Sequence, residues 1–255
     1  MKIQYVSDLH MEFPENFQYL QAHQLKVTGD ILVVAGDNFY LKDRLMPKTK
    51  FWKWASDNYK QVLLVPGNHE YYGGNNMTGK GNSWNYKFLK NVGYYQNQVI
   101  RIGDTDIILS TLWSHIDNNK LYDVWNGMND FRQIMYNDKP FTPKDFNTEH
   151  EKYLTFVKEA VKESTAKHIV VVTHHVPSAQ CVTSQLLYSP INSAFMVDLT
   201  DYIASSRIDF WIYGHSHTNV DTEIGHTKII SNQLGYVFTG ENRKNSFKTT
   251  KFFEV

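Results

Sequence analysis

Cysteine is the scarcest chemically active residue in this 255-residue chain: Cys181 stands alone, so an internal disulfide is excluded and a reducing compartment is the natural setting. No signature of a cysteine nucleophile surrounds Cys181, which reads as a buried structural thiol. Net charge is also missing. Lys and Arg number 26 and Asp and Glu 26, leaving no basic excess to mark a binder of long nucleic acid. No apolar run reaches bilayer length, and Met1-Lys2-Ile3-Gln4 lacks the charged-then-apolar pattern of a leader. A cytoplasmic protein with no membrane partner is therefore expected. Repeats, low-complexity tracts and dividing linkers are absent too. With 42% hydrophobic residues the chain is too apolar for disorder, and its length suits one α/β domain over residues 1–255.

What is present is a series of short β-rich runs, each ending in a polar cluster. Ile3-Gln4-Tyr5-Val6 leads to Asp8 and His10, and Asp30 to Ala35 leads to Gly36-Asp37. Gln61 to Val65 leads to Gly67-Asn68-His69-Glu70, His168 to Thr173 to His174-His175, and Asp209 to Tyr213 to Gly214-His215-Ser216-His217. Continuous apolar runs bounded by Gly or Pro predict strands buried on both faces. Helices are predicted between them. One carries Phe51, Trp54, Ala55 and Asn58 on one face. A second is capped by Thr142-Pro143 and carries Phe146, His150, Tyr153, Val157, Ala160 and Val161; a third lies around 197–204. Val99 to Trp113 predicts a hairpin turning at Gly103-Asp104, and Thr227 to Val255 predicts antiparallel strands with turns at Gly235 and at 240–245. Tyr71 to Asn97 is the most loop-like stretch, within a cap-like excursion around 71–140.

Open α/β sheets gather their chemistry beyond the carboxyl ends of their strands. Here those ends carry carboxylates, an amide and imidazoles. That donor mixture suits Mn, Fe, Zn, Ni or Co better than the all-oxygen sites of Ca or Mg. There are donors enough for two ions, and a pair about 3.5–4 Å apart clamps an in-line phosphoryl displacement. Each fragment alone is weak: Asp-x-His arises by chance, a Gly-Asp pair marks many turns, and a lone His at a strand end is often a surface residue. The ordered set is much more specific.

That ordered set resembles the calcineurin-like metallophosphoesterase superfamily, carried by Asp8-x-His10, Gly36-Asp37, Gly67-Asn68-His69-Glu70, Thr173-His174 and Gly214-His215-x-His217. The resemblance implies an α/β fold, a four-layer α/β/β/α sandwich of two mixed sheets flanked by helices. It implies that Asp8, His10, Asp37 and His217 hold a first metal, and that Asp37 bridges to a second completed by Asn68, His174 and His215. His69 matches the residue that protonates the leaving-group oxygen or stabilises the phosphate. The implied reaction is hydrolysis of a small phosphodiester or phosphomonoester by a dimetal-bound hydroxide. A nuclease using the same centre, or a non-catalytic scaffold, are the alternatives; the scaffold would show eroded ligands, and none is missing. The chain departs from the protein Ser/Thr phosphatases: Gly36-Asp37 is not followed closely by Asp-Arg, and Arg44 stands several residues late. It looks closer to small prokaryotic phosphodiesterase-like members.

Several residues carry two readings. His174 is favoured over His175 as the ligand because the pattern of the family it resembles places the ligand directly after the strand's closing Thr. His175 is then substrate-facing, supportive or exposed. Glu70 is a second acid or, more simply, a residue closing the turn. Tyr71 and Tyr72 either stack on a base or aryl group or pack beneath the turn. Asp130 and Arg132 are a surface ion pair or face substrate. Asn232 to Tyr236 is expected to frame the site mouth.

Overall fold

The computed structural model describes residues 1–255. One six-stranded sheet runs in the order Phe252–Glu254, Lys2–Val6, Ile31–Ala35, Gln61–Val65, Val92–Gln96, Trp84–Leu89. The other runs Thr222–Ile224, Thr227–Ser231, Phe210–Tyr213, His168–Thr173, Thr105–Ser110, Gln98–Ile102. In each, the inner four strands are parallel and the edge strands antiparallel.

Strand alternation builds the layers. Ile31, Val33 and Ala35 join Ile107, Leu109, Val170 and Val172 in a core between the two sheets. Leu32 and Val34 face the opposite way, into an outer core with Phe51, Trp52 and Phe146. Ile108, Val171 and Trp211 face a second outer core with Val157, Val161 and Ile203. An inner core and two outer cores separate four layers, helix, sheet, sheet and helix. Each fully buried Val or Ile contributes about 1.5–3 kcal/mol, so this framework is the main reserve against strain at the strand ends.

The long helix Pro143–Glu163 starts as predicted. Thr142 accepts from the Asp145 amide, and Asp145 accepts in return from that of Thr142. Other expectations shift. In Lys50–Asn58 the buried face is Phe51, Trp52 and Ala55; Asn58 is exposed. The third helix is shorter, Thr200–Ser205. The C-terminal strands do not pair with each other: Thr227–Ser231 lies parallel to Phe210–Tyr213, whereas Phe252–Glu254 crosses to the other sheet and pairs with Lys2–Val6.

The stretch 71–97 is not simply a loop, because Val92–Gln96 enters the first sheet beside Gln61–Val65 with every residue buried. Residues 84–110 are thus sheet. The excursion shrinks to a small sheet of Asn75–Asn76, Ile134–Tyr136 and Lys139–Pro140, with the helices Leu121–Gly127 and Asp130–Gln133.

Candidate metal centre

The parallel strands end in register along one edge: Val6 lies opposite Val34, Ala35 opposite Val65, and Val172 opposite Ile212. The loops that follow therefore converge. Their backbone is unusual, because Asp8 (φ 54°), His10 (45°), Asp37 (55°), His215 (71°) and His217 (48°) all adopt left-handed conformations. Such residues cost on the order of 1–3 kcal/mol each and persist only where their surroundings over-determine them. Hydrogen bonds supply that constraint. The His215 amide donates to Asp8 Oδ1 at 3.0 Å and the His69 amide to Asp37 Oδ1 at 2.9 Å.

Glu70 ties two of the loops together. Its carboxylate accepts from the amides of Asp37 (2.9 Å), Asn38 (2.7 Å) and Gly67 (2.6 Å), and from the Tyr94 hydroxyl (2.9 Å). Burial, then Asp37, pushes its pKa up to about 7 against the pull of those amides. Of its two readings, closing the turn is the one this geometry serves. Gly36 and Gly67 are required by close approach: a Cβ would sit 2.3 Å from His174 Nδ1 at the first and 2.2 Å from Asp37 Oδ1 at the second.

Three donor clusters result: His10, Glu12 and His69 make one, and the other two meet at Asp37. In the first of that pair, donor atoms of Asp8, His10, Asp37 and His217 lie within 4.8 Å of one another; in the second, those of Asp37, His174 and His215 do. Asp37 belongs to both. Asn68 joins the second, its Oδ1 being 3.1 Å from His174 Nε2. The tautomers follow from the outer partners, which can only accept. His10 Nδ1 donates to Glu12 Oε1 (3.0 Å), His217 Nδ1 to Glu241 Oε2 (2.7 Å), His174 Nδ1 to the Ala35 carbonyl (2.9 Å) and His215 Nε2 to the Ala194 carbonyl (3.3 Å). In each ring the other nitrogen is left as the donor for the centre.

Lone pairs then face one another. His10 Nε2 and His217 Nε2 are 3.0 Å apart, and Asp8 Oδ2 is buried without a partner. Such a set fits a divalent cation, and each imidazole is braced from behind as metal-bound histidines are.

Without a cation, protons fill the role. Burial acts to lower His174, but Asp37 and Asp8 overrule it and lift it to about 9. His217 is lifted to about 10 against burial by Asp8 and Glu241. His215 goes the other way, to about 3, through burial and then the charge on His174. Asp37 stays well below the usual carboxylate range: burial opposes this, and His174 and His69 outweigh it. Metal uptake must displace the His174 and His217 protons.

His69 sits beside the centre. Its Nδ1 donates to Glu12 Oε1 at 2.8 Å, its Nε2 lies 3.2 Å from the Tyr236 hydroxyl, and its ring stacks on Tyr72 at 4.2 Å. Burial acts to lower its pKa, but Asp37 and Glu12 prevail and raise it, favouring the protonated form. Over the centre opens a hollow of about 340 Å³, walled among others by His69, Tyr72, Met128, Asn129, Phe195, His217 and Tyr236, with no lysine or arginine in its lining.

The match to known proteins agrees with this geometry. The family model described as calcineurin-like phosphoesterase matches residues 1–219. The chain belongs to that family. A relative from Acanthamoeba polyphaga mimivirus, "Uncharacterized protein L509", is 26% identical over 99% of this chain and 96% of its own. Among solved structures, phosphopantetheinyl hydrolase (PptH) from Mycobacterium tuberculosis superposes with a TM-score of 0.67 at 18% identity, covering 100% of this chain and 95% of that one. The protein TT1561 of Thermus thermophilus gives 0.52 at 10% identity, over 99% and 96%. At these identities the structures establish the fold. The family typically binds divalent metals, and the clusters above could hold them.

Within this calcineurin-like frame the remaining expected residues separate. His174 lies in the second cluster, whereas His175 is buried behind it. Its Nδ1 accepts from the Ser114 amide at 3.1 Å and its ring packs on His215 at 4.1 Å, so it neither faces substrate nor is exposed. Tyr71 does not face substrate either. It is the last residue of the short turn His69–Tyr71, 2% exposed, and packs into the outer core; its neighbour Tyr72 reaches the hollow instead.

Asp130 is buried behind Tyr72 and accepts from its hydroxyl at 3.1 Å, while burial lifts its pKa to about 6. Arg132 is exposed and donates to the carbonyls of Met128 and Asn126, so these two form no ion pair and neither lines the hollow. Arg44 is exposed, away from the centre. Tyr236 does frame the mouth.

Sequence reading missed Glu12, Glu241 and Phe195. Glu12 was within reach, being an acid two residues beyond His10. Nothing local marks Glu241, which meets His217 only through the fold.

Proposed function

We propose that the chain hydrolyses a small phosphate ester at a two-ion centre, the first ion held by Asp8, His10, Asp37 and His217 and the second by Asp37, Asn68, His174 and His215. One observation carries this reading: two donor clusters share Asp37 beneath a hollow whose walls hold no lysine or arginine. With the imidazoles of His174, His215 and His217 serving as ligands, His69 is the one side-chain cation left to a phosphoryl group there, and ions would balance the rest of its charge. A bound pair of Mn, Fe, Zn, Ni or Co ions would supply that charge and would lower the pKa of water towards neutrality.

The chain's own residues do the rest. Asp37 serves both clusters with one carboxylate. His69, held by Glu12 and stacked on Tyr72, presents Nε2 to protonate the departing ester oxygen. Tyr236 and Phe195 supply aromatic walls for the organic part of the substrate.

A volume of about 340 Å³ and a net charge of zero favour a small substrate over DNA or RNA. The lone thiol of Cys181, buried and pushed up to about 12, suits a reducing, cytoplasmic setting. No helix is long and apolar enough to cross a membrane.

The test is a panel with Mn-loaded protein: aryl monoesters, aryl diesters, cyclic nucleotides, a phosphopantetheinyl ester and single-stranded DNA. The last small ester is included because a protein of this fold bears that activity in its name. Turnover of a small ester, abolished by chelation, is expected. Faster cleavage of the polymer than of every small ester would favour a nuclease.

A further inference from the structure

We propose that Asp130, acting through Tyr72, sets the direction of the Asn68 side-chain amide and so decides whether the second cluster has its oxygen donor. This inference rests on the two-ion reading above. The Tyr72 hydroxyl lies 3.1 Å from Asn68 Nδ2 and 3.1 Å from Asp130 Oδ2. All three side chains are buried.

Hydrogen-bond logic fixes the direction. A carboxylate has no proton to give, so the phenolic hydrogen must point to Asp130. The phenol oxygen then offers only its lone pairs to Asn68, which answers with its NH₂ group. The Asn68 carbonyl is thereby turned to His174 Nε2, 3.1 Å away.

Once the His174 Nε2 proton is displaced, as metal uptake requires, nothing on the His174 side makes that choice. With Nδ1 donating to Ala35, the Nε2 that has given up its proton carries a lone pair, and a reversed Asn68 would give it a satisfactory hydrogen bond. That reversed amide would present hydrogens where the ion needs an oxygen. The selection is made at the far end of the relay. Asp130 accepts no other bond through Oδ1, which is buried and without a partner. A half-satisfied buried carboxylate calls for a task, and orienting Tyr72 is one. Asp130 is thus a positioning residue, two contacts from the ion and outside the substrate hollow.

The experiment titrates metal-free protein with Co²⁺ at pH 8, following both binding steps by visible absorption and calorimetry, for wild type, Asp130→Asn and Tyr72→Phe. A carboxamide at 130 no longer obliges the phenol to donate to it: its NH₂ can face the phenol oxygen and free the phenolic hydrogen for the Asn68 carbonyl, so the direction of the amide is no longer fixed. Tyr72→Phe keeps the ring and removes the relay. Both variants are expected to weaken the second ion about 10–100-fold, the usual scale for outer partners of metal ligands. The first ion should bind as in wild type, which also certifies the fold. If Asp130→Asn does not fold, Tyr72→Phe reads the same relay.

Second-ion affinity unchanged in the folded variants, or equal weakening of both ions, overturns the inference. A wild type that takes up one ion brings down the two-ion reading together with it. A two-ion wild type with unaffected variants brings down this inference alone.

Discussion

In the first cluster His10 and His217 lean on carboxylates, Glu12 at 3.0 Å and Glu241 at 2.7 Å. In the second, His174 and His215 lean on the carbonyls of Ala35 at 2.9 Å and Ala194 at 3.3 Å. Carboxylates behind imidazoles add negative charge and make the rings better donors; carbonyls fix orientation with much less charge. The first cluster also has Asp8 to itself, while the second holds only its share of Asp37. The first ion is therefore expected to bind tightly and the second more weakly, with its affinity set by geometry, including that of Asn68.

Asp37→Asn attacks the residue common to both halves and should have the largest effect. Affinity for each ion is expected to fall by more than about 100-fold, beyond what outer partners cost, and turnover should fall with it. Elemental analysis after dialysis checks this. Loss of one ion alone would place Asp37 in a single cluster.

His69→Asn should leave both halves loaded and damage chemistry only. With an alkyl leaving group the expected loss in turnover is about 10²–10⁴-fold. With nitrophenolate, which departs as a stable anion, it should be smaller. Equal losses on both esters, with metals retained, would mean that His69 holds the phosphate instead of donating a proton.

Glu241→Gln removes one carboxylate brace. First-ion affinity should drop about 10–100-fold and second-ion affinity much less. Equal losses would erase the distinction between the halves.

The division between legible and illegible follows the same line as the braces. The gathering of Asp8, His10, Asp37, Asn68, His69, His174, His215 and His217 at one edge of the sheets could be read because donor type and position after an apolar strand are both local properties. The parallel sheets then bring those positions together without further instruction. Tyr71 and Tyr72 could not be told apart, since one turn, His69–Tyr71, sends neighbours to opposite sides. Asp130 looked like a surface residue because its burial depends on Tyr72, far away in sequence. The strand Val92–Gln96 was missed because Gly93 and paired tyrosines resemble a loop, and its membership is decided by pairing with Gln61–Val65. The destination of Phe252–Glu254 was likewise hidden, because a short strand's partner is a tertiary matter.

The central claim is that two unequal sites share one carboxylate and that hydrolysis needs both filled. Stepwise addition of Mn²⁺ to metal-free protein, with bound metal and aryl phosphodiester turnover measured at each step, tests it most directly. At pH 8 the first equivalent should bind with little turnover, and activity should rise with the second. Because His174 and His217 hold protons up to about 9 and about 10, lowering the pH favours the protons. Both affinities should therefore weaken at pH 6, by about tenfold per pH unit for each proton displaced. Full turnover at one equivalent, with no second binding step at either pH, would contradict the account.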